Sequence, residues 1–351
     1  MENITLQKLG WQSFFAEQYL GTEFSVGRVV LQHKYLYRVV NEAGEWIAKP
    51  TGKFTFETLT KKDYPAVGDW VLMTTYPDEG KAMIHQVLDR KSVFIRQASG
   101  LKTEDQVLAS NIDFVFLVNA LDDDFNVRRL ERYLLLAYES RATPVIILTK
   151  LDLCIDLEEK LKEVETITFG AVPVIAVDSL EGVGLEDVRG LISEGVTIAL
   201  LGSSGVGKST LLNALMGEEV QETAGVREDD SKGRHTTTHR ELFMLPDGGL
   251  VIDTPGMREL QVSGGSASMD TTFADIEGLI SGCRFSDCGH RSEPGCKVKE
   301  ALADGSLDYD RYRSYQKLER ELAYQEKRQR ENQMLAEKRG QRRKRGNGNE
   351  F

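Results

Sequence analysis

The sequence predicts a multidomain protein: an N-terminal β-barrel, a central α/β domain and a C-terminal metal-binding helical domain. Between residues 24 and 97, short alternating apolar runs are separated by turn signals without a long helix, a pattern typical of a small barrel. From residue 105 onward, apolar runs alternate with helical patterns, which is typical of a parallel sheet covered by helices. Three cysteines and one histidine follow within a short span near the C-terminus.

At 351 residues, the chain is too long for one compact core. We predict four segments: an N-terminal helical extension (1–23), the barrel (24–100), the α/β domain (105–268), and a metal-binding domain with a basic C-terminal helix and tail (270–351). The extension is expected to form a short amphipathic helix over residues 1–20. The final stretch, GQRRKRGNGNEF, is predicted to be disordered.

Composition favours a soluble protein. Hydrophobic residues make up 40% and charged residues 28% of the chain, which is ordinary for a globular protein. Neither a basic segment followed by an apolar run at the start nor an apolar run of about 18–20 residues occurs. We therefore expect a cytoplasmic monomer without a secretory signal or a membrane partner.

Charge is unevenly distributed along the chain. Residues 311–351 hold thirteen Lys/Arg and six Glu, a net +7, so the remainder carries −18 of the total −11. A basic tail on an acidic body indicates local contact with nucleic acid, with a solvated charged helix as the alternative. Lys, Arg, Tyr and Phe also interleave along the barrel strands. An oligonucleotide-binding barrel needs such residues for phosphate contacts and stacking, although a generic small barrel is equally compatible with the pattern.

A glycine-rich segment, GSSGVGKST, follows the apolar run VTIALL and precedes the helical pattern LLNALMG. This is the setting of a phosphate-binding loop, in which backbone N–H groups at a helix N-terminus bind phosphate oxygens. Lys208 is expected to reach the β- and γ-phosphates, and Ser209 to give a hydroxyl to Mg²⁺. The predicted nucleotide-binding residues of this loop are Gly202, Ser203, Ser204, Gly205, Val206, Gly207, Lys208, Ser209 and Thr210.

Two segments downstream of this loop have the character of magnesium- and γ-phosphate-binding elements. VIDTPG ends an apolar strand and offers Asp253 as a magnesium ligand and the Gly256 amide for the γ-phosphate. GRHTTTHR contains three adjacent threonines, of which Thr237 is favoured for the magnesium shell. Met257 after DTPG cannot orient an attacking water as a glutamine would. His235 is therefore the candidate catalytic residue, with an exposed, uninvolved histidine as the alternative.

The segment PVIILTKLD is a predicted strand that ends in a base-reading motif. Asp152 can accept both the N1–H and the N2–H₂ of guanine, a pair of donors that adenine lacks, while Lys150 would lie across the base. The predicted residues of this loop are Thr149, Lys150, Leu151 and Asp152. This loop precedes the phosphate loop, the reverse of the usual order. Because joining old termini and cutting new ones leaves a parallel sheet intact, we predict a circularly permuted domain.

The cysteine cluster predicts a structural zinc site. Its spacing is C-x4-C-x-H-x5-C, and its ligands are Cys283, Cys288, His290 and Cys296. Three thiolates and one imidazole suit a closed tetrahedral zinc site, whereas a disulfide framework is not expected in a reducing cytosol.

Together, K-x-D, G-x-x-x-x-G-K-S, GRHTTT and DTPG in permuted order, the barrel before them and the cysteine cluster after them resemble the ribosome-small-subunit-dependent GTPase A family. The resemblance covers nearly the whole chain. It implies an oligonucleotide-binding-type barrel, a permuted P-loop GTPase domain with GTP, GDP and Mg²⁺, and one zinc ion. It also implies action on the small ribosomal subunit and its rRNA in late assembly, with hydrolysis stimulated by the subunit. The family's proposed catalytic histidine falls on His235.

The sequence departs from that family at the base-reading loop. Thr149 stands where asparagine is usual, and that asparagine normally ties the base-reading loop to the phosphate loop. The Ser-Ala loop that backs guanine O6 has no clear match, and AVDSLEGVG (176–184) is its best candidate. Two alternatives to a GTPase stay open. The first is an RNA-binding scaffold with a nucleotide-controlled switch and negligible turnover, and the second is an RNA-directed zinc enzyme.

Overall fold

The computed structural model describes residues 4–19, 23–33, 36–58, 60–96, 105–217, 240–253 and 266–346. The chain divides into two compact units, residues 1–98 with 104–260, and residues 99–103 with 261–351. The first unit contains the barrel and the α/β domain, and the second contains the C-terminal helices. Within the described ranges, no helix has the length and apolar character needed to cross a membrane.

The N-terminal extension contains one short helix, α1 (Ser13–Ala16), which follows a series of turns. The longer amphipathic helix predicted for residues 1–20 is therefore wrong. Gly10 has a φ of 86°, a left-handed value that interrupts a right-handed helix.

The barrel consists of five strands with a short helix after the third. These elements are β1 (Ser25–His33), β2 (Leu36–Asn41), β3 (Gly44–Pro50), α2 (Gly52–Glu57), β4 (Trp70–Tyr76) and β5 (Lys81–Val87). The strands pair in the order β1-β2-β3-β5-β4, and β4 returns to β1 to close the barrel. In β3, buried Trp46 and Ala48 alternate with exposed residues, as expected for a strand with one face on a core. The predicted oligonucleotide-binding-like barrel is confirmed.

A two-stranded ribbon, β6 (Val93–Arg96) and β7 (Gln106–Ser110), connects the barrel to the α/β domain. That domain consists of β8 (Phe114–Ala120), α3 (Val127–Ser140), β9 (Thr143–Thr149), α4 (Leu157–Thr168), β10 (Val174–Ala176), α5 (Leu185–Gly190), β11 (Thr197–Leu201), α6 (Lys208–Met216), β12 (Arg240–Met244) and β13 (Leu250–Asp253).

The α/β sheet has the strand order β10-β9-β8-β11-β13-β12, and its neighbours are parallel except for β12. Six of the seven residues of β8 and of β9 are buried, because a parallel sheet is covered on both faces. The core packs side chains from four strands, including Phe116, Ile147, Ile198 and Val251. The strand that ends in the base-reading loop, β9, precedes the phosphate-loop strand β11 in the chain, yet both lie in one sheet. The predicted permuted order is thus confirmed.

The barrel and the α/β sheet are joined by hydrogen-bonded strands. Barrel strand β1 pairs antiparallel with β12, where Leu31 lies opposite Glu241 and Gln32 opposite Arg240. The two sheets therefore form one continuous eleven-stranded sheet. β1 and β12 are therefore connected directly through their backbones.

The extension packs where the barrel meets the α/β domain. Trp11 and Phe15 contact the buried indole of Trp70, and their ring centroids lie 4.7 and 5.9 Å, respectively, from that of Trp70. Fully buried Arg28 donates hydrogen bonds to the carbonyl oxygens of Leu9, Gly68 and Asn111. Burial lowers the pKa of Arg28 to about 10, and the nearby Asp113 and Asp69 carboxylates oppose that change.

The second unit contains α7 (Ser266–Thr272), α8 (Ala274–Ser281), α9 (Lys297–Asp304) and α10 (Tyr309–Gly346). The first part of α10 packs on α8, since Arg311 donates to both Asp275 carboxylate oxygens at 2.7 Å. The helix continues through most of the segment predicted to be disordered, so that prediction is wrong up to Gly346. Gln, Arg and Lys are good helix formers, and a single glycine costs about 1 kcal/mol.

Candidate nucleotide and metal sites

The phosphate loop lies between β11 and α6. Gly205 and Gly207 have φ values of 76° and 90°, which glycine adopts without strain. A side chain at Gly202 would place its Cβ 2.6 Å from the Val118 carbonyl oxygen, so the close approach to β8 requires glycine. Leu211 N–H donates to the Gly207 carbonyl at 2.8 Å and begins the helix hydrogen bonds. The loop thus presents backbone N–H groups at a helix N-terminus, a geometry that binds phosphate.

Lys208, the first residue of α6, extends back along the loop. Its ammonium donates to the Gly202 carbonyl oxygen at 2.9 Å and to the Ser203 carbonyl oxygen. Ser209 and Thr210 follow on the first turn and are half-buried, whereas Ser204 is exposed. All nine residues predicted for phosphate binding therefore lie in one loop and one helix turn.

Thr149, the last residue of β9, connects the two predicted nucleotide loops. Its hydroxyl donates to the Val206 carbonyl oxygen at 2.6 Å, within the phosphate loop. Thr149 is 2% exposed, and a Cβ at Gly207 would lie 3.5 Å from its side chain. The connection expected of an asparagine is thus made by a threonine hydroxyl.

Lys150 and Asp152 belong to the rest of the predicted base-reading loop. Lys150 has a left-handed φ of 58°, and its ammonium contacts an Asp122 carboxylate oxygen at 2.7 Å. Partial burial acts to raise the pKa of Asp122, but hydrogen bonds from Lys150 and the Asp124 amide have the larger effect. The net result is a pKa below the usual value of an aspartate. Asp152 lies exposed in a short turn whose Leu151 N–H donates to the Val177 carbonyl at 3.2 Å. Asp122 was not found from the sequence, because a lysine partner 28 residues away leaves no local pattern.

The loop after β10 lies beside the base-reading loop, as the candidate segment 176–184 requires. An Asp178 carboxylate oxygen accepts the N–H groups of Leu180 and Glu181 at 2.9 and 3.2 Å, which shapes the turn. Ser179 lies between Asp178 and Leu180 in this turn. Its hydroxyl oxygen is buried and has no hydrogen-bond partner in the part of the chain that the structure describes. A buried hydroxyl without a partner is unfavourable, which makes Ser179 a candidate ligand-binding group that the sequence did not reveal.

Asp253 ends β13 and is half-buried, with Glu241 of β12 as its partner in the strand register. The other predicted residues on this side of the site, His235, Thr237 and Gly256, lie outside the described residues. Their roles stay predictions.

The four predicted zinc ligands converge between α8 and α9, with all ligand atoms within 4.8 Å of one another. The Cys283 and Cys296 sulfurs are 4.0 Å apart, and His290 Nδ1 lies 3.7 and 3.4 Å from them. Tetrahedral zinc with bonds of about 2.3 Å to sulfur places two sulfurs about 3.8 Å apart. The Cys₃His cluster therefore fits a metal ion of this kind.

Backbone N–H groups shape this cluster. Desolvation acts to raise the pKa of the Cys283 thiol, but hydrogen bonds from the Lys297 and Val298 amides at the start of α9 have the larger effect. The net result is a pKa below the usual value of a cysteine. Glu293 accepts N–H groups from Gly289, Arg291 and Ser292 at 3.1, 2.8 and 2.9 Å. Its pKa falls to about 2, chiefly through its own amide and that of Arg291. Glu293 thereby holds the turn in which His290 has a φ of 55°.

Comparison with known proteins identifies the family. A family model described as RsgA GTPase matches residues 87–263. A Listeria innocua protein named small ribosomal subunit biogenesis GTPase RsgA 1 is 46% identical over 319 residues, which are 91% of this chain and 90% of that one. The chain belongs to the RsgA GTPase family. It is therefore a GTP-hydrolysing enzyme.

Solved structures agree with the RsgA GTPase assignment. The crystal structure of YjeQ from Thermotoga maritima matches with a TM-score of 0.63 and 31% identity, covering 85% of this chain and 98% of that one. YloQ, described as a circularly permuted GTPase, matches with a TM-score of 0.61 and 25% identity, over 87% and 97% of the two chains. Circular permutation is thus also described for one of these two solved structures.

Proposed function

We propose that this enzyme hydrolyses GTP to GDP and phosphate while bound to rRNA of the small ribosomal subunit, that it acts late in the assembly of that subunit, and that the subunit stimulates hydrolysis. The printed names of the curated relatives refer to small-subunit biogenesis. The observation that carries the proposal is the 2.6 Å hydrogen bond from Thr149 to Val206. It would hold the predicted guanine-reading loop against the predicted phosphate loop, although the chain encodes them in reversed order.

Guanine recognition would use the base-reading loop after β9 and the loop after β10. Asp152 would accept the guanine N1–H and N2–H₂ groups, and Lys150, oriented by Asp122, would lie across the base. Ser179 would donate its hydroxyl to guanine O6 and so add to the affinity for guanine, whereas discrimination would rest on Asp152, because a hydroxyl can also accept from the N6 amine of adenine. Adenine would leave the Asp152 carboxylate without its two donors, and an unmade hydrogen bond of this kind is what rejects the wrong base.

Hydrolysis would use the magnesium side of the same site. Ser209, Thr237 and Asp253 would hold Mg²⁺, which neutralises phosphate charge when bound. Lys208 would bind the β- and γ-phosphate oxygens, and His235 would orient the attacking water. Because Met257 replaces a water-orienting glutamine, turnover of the isolated enzyme should be slow and should depend on the partner.

The barrel offers a surface suited to RNA around α2. Phe56 on α2 is 89% exposed, and the lysines that flank it in the sequence are exposed as well, namely Lys49, Lys53, Lys61 and Lys62. Exposed aromatic rings among basic residues stack with bases and contact phosphates. The basic part of α10 would add phosphate contacts, so the affinity should decrease with salt. The Cys₃His cluster would hold one structural zinc ion in the second unit.

The test is hydrolysis of GTP and ATP with and without purified small subunits at two salt concentrations, beside a Lys208→Ala control. GTP-selective, subunit-stimulated and salt-sensitive turnover would support the proposal. Subunit binding without faster turnover would instead favour an RNA-binding scaffold with a nucleotide switch. Equal use of ATP would contradict the assignment of the base-reading loop.

A further inference from the structure

A row of four residues crosses the junction between the barrel and the GTPase sheet. In the strand register, Arg38 of β2 lies opposite Leu31 of β1, Leu31 opposite Glu241 of β12, and Glu241 opposite Asp253 of β13. Directly opposed residues in antiparallel strands place their side chains on the same face. This transverse row therefore begins in the barrel and ends at the predicted magnesium ligand.

Arg38 contacts Glu241 across the intervening strand. One guanidinium nitrogen lies 2.6 Å from a Glu241 carboxylate oxygen, and the two side chains are 33% and 34% exposed. A second guanidinium nitrogen is 3.7 Å from Glu45. Arg38 thus lies between a carboxylate of the barrel strand β3 and a carboxylate of β12.

The ion pair holds the end of β12 that lies nearest the site. β12 forms four register pairs with β13, but only Arg240 and Glu241, its first two residues, pair with β1. Glu241 and Asp253 would place like charges directly opposite each other, which is unfavourable across two strands. Arg38 compensates the Glu241 charge from the barrel side, and the barrel thereby contributes to the electrostatic surroundings of Asp253.

We propose that Arg38 is a positioning residue through which the barrel controls the magnesium side of the GTP site. Docking of the barrel on a rigid partner would shift β1 and β2, and the Arg38–Glu241 pair would pass that shift to β12 and Asp253. The inference rests on the proposed function, because it takes Asp253 as a magnesium ligand and the barrel as the RNA-binding element. Coupling of this kind is reciprocal, so nucleotide state must also affect the barrel.

The first experiment needs no ribosomal subunit. Amide hydrogen exchange of β1 and β2 is measured with GDP and with a non-hydrolysable GTP analogue, in the wild type, Arg38→Gln and Glu241→Gln. We expect a nucleotide-dependent difference in the wild type and its loss in both variants. Lys81→Gln removes the exposed barrel ion pair of Lys81 with Glu79 at 2.8 Å, and this control should keep the difference. A wild-type barrel that does not respond to nucleotide would overturn the inference.

The second experiment measures turnover over a range of subunit concentrations. In Arg38→Gln and Glu241→Gln, we expect the stimulation, taken as the ratio of the maximal to the intrinsic rate, to fall about fivefold, the lower end of ordinary coupling, with subunit affinity unchanged. The double variant should be no slower than either single variant, because both remove one interaction. Weaker subunit binding with an unchanged maximal rate would make Arg38 an RNA contact and overturn the inference. An unstimulated wild type would instead contradict the proposed function, while the exchange experiment still decides the coupling.

Discussion

The hydroxyl of Thr149 donates a hydrogen bond to the carbonyl oxygen of Val206 at 2.6 Å, joining positions 57 residues apart. Both residues are buried, Thr149 at 2% and Val206 at 1% exposure. One side-chain proton thus connects the predicted base-reading loop with the predicted phosphate loop.

Replacing Thr149 with valine should weaken GTP and GDP binding about tenfold, because a buried carbonyl without its donor costs about 1–3 kcal/mol. Thr149→Ser keeps the hydroxyl and should bind nucleotide nearly as well as the wild type. Titration calorimetry with GDP and with a non-hydrolysable GTP analogue measures the two affinities. Thr143→Val, at the exposed start of the same strand, is the control. If valine at position 149 binds GDP normally, the hydrogen bond does not organise the site.

Ser179→Ala should change stability and binding in opposite directions. Removing a buried hydroxyl without a partner in the described structure should leave the free energy of unfolding unchanged or slightly higher. GDP binding should weaken about fivefold, the loss of one hydrogen bond to guanine O6. Thermal melts and GDP titrations check the two effects, with Ser193→Ala, an exposed turn position, for comparison. Lower stability with unchanged GDP affinity would contradict the assignment.

Cys288→Ser should remove stoichiometric zinc and unfold the second unit, because the binding free energy of a structural metal is folding free energy. Metal analysis measures the zinc content, and circular dichroism measures the helix content of the chain, to which α8, α9 and α10 contribute. Cys154→Ser is a matched control, since Cys154 lies in the first unit outside the cluster. Full zinc content in Cys288→Ser would exclude Cys288 as a ligand. Loss of turnover with the fold intact would indicate a catalytic metal instead.

His235→Ala should lower subunit-stimulated hydrolysis about a hundredfold, the lower range for a positioned acid–base group. Affinity for a GTP analogue should stay within about twofold, because a group that acts on the transition state adds little to ground-state binding. Single-turnover rates and analogue titrations separate the two effects, with His239→Ala as the neighbouring control. Equal losses in rate and affinity would assign His235 to nucleotide binding.

The sequence predicted those parts of the fold and site that depend on local pattern. Buried strands, the glycine-rich loop and the Cys₃His spacing each lie within one short stretch of the chain, and the structure brings each set together. Contacts between distant segments were missed. Arg38 and Glu241 are 203 residues apart, and neither side chain belongs to a motif. Ser179 is conspicuous only because its hydroxyl is buried, which the sequence does not indicate.

Helix limits were predicted least well, for a physical reason. Gly10 and Gly340 are both glycines in helical patterns, yet only the first interrupts a helix. Gly10 packs against Arg28 and Gly195, where a Cβ would lie 2.5 and 2.7 Å from their atoms. Tertiary packing, and not propensity, fixes that backbone in the left-handed region.

The packing of the N-terminal extension decides how the protein can be shortened for laboratory production. Trp11 and Phe15 cover the Trp70 indole, and Leu9 supplies a carbonyl oxygen to the buried Arg28. A chain trimmed to begin at the first barrel strand would expose this aromatic surface and leave a buried cation with one acceptor fewer. Exposed apolar surface promotes aggregation, so such a truncation should accumulate as insoluble protein. A shortened version that stays in solution has to retain residues 5–19.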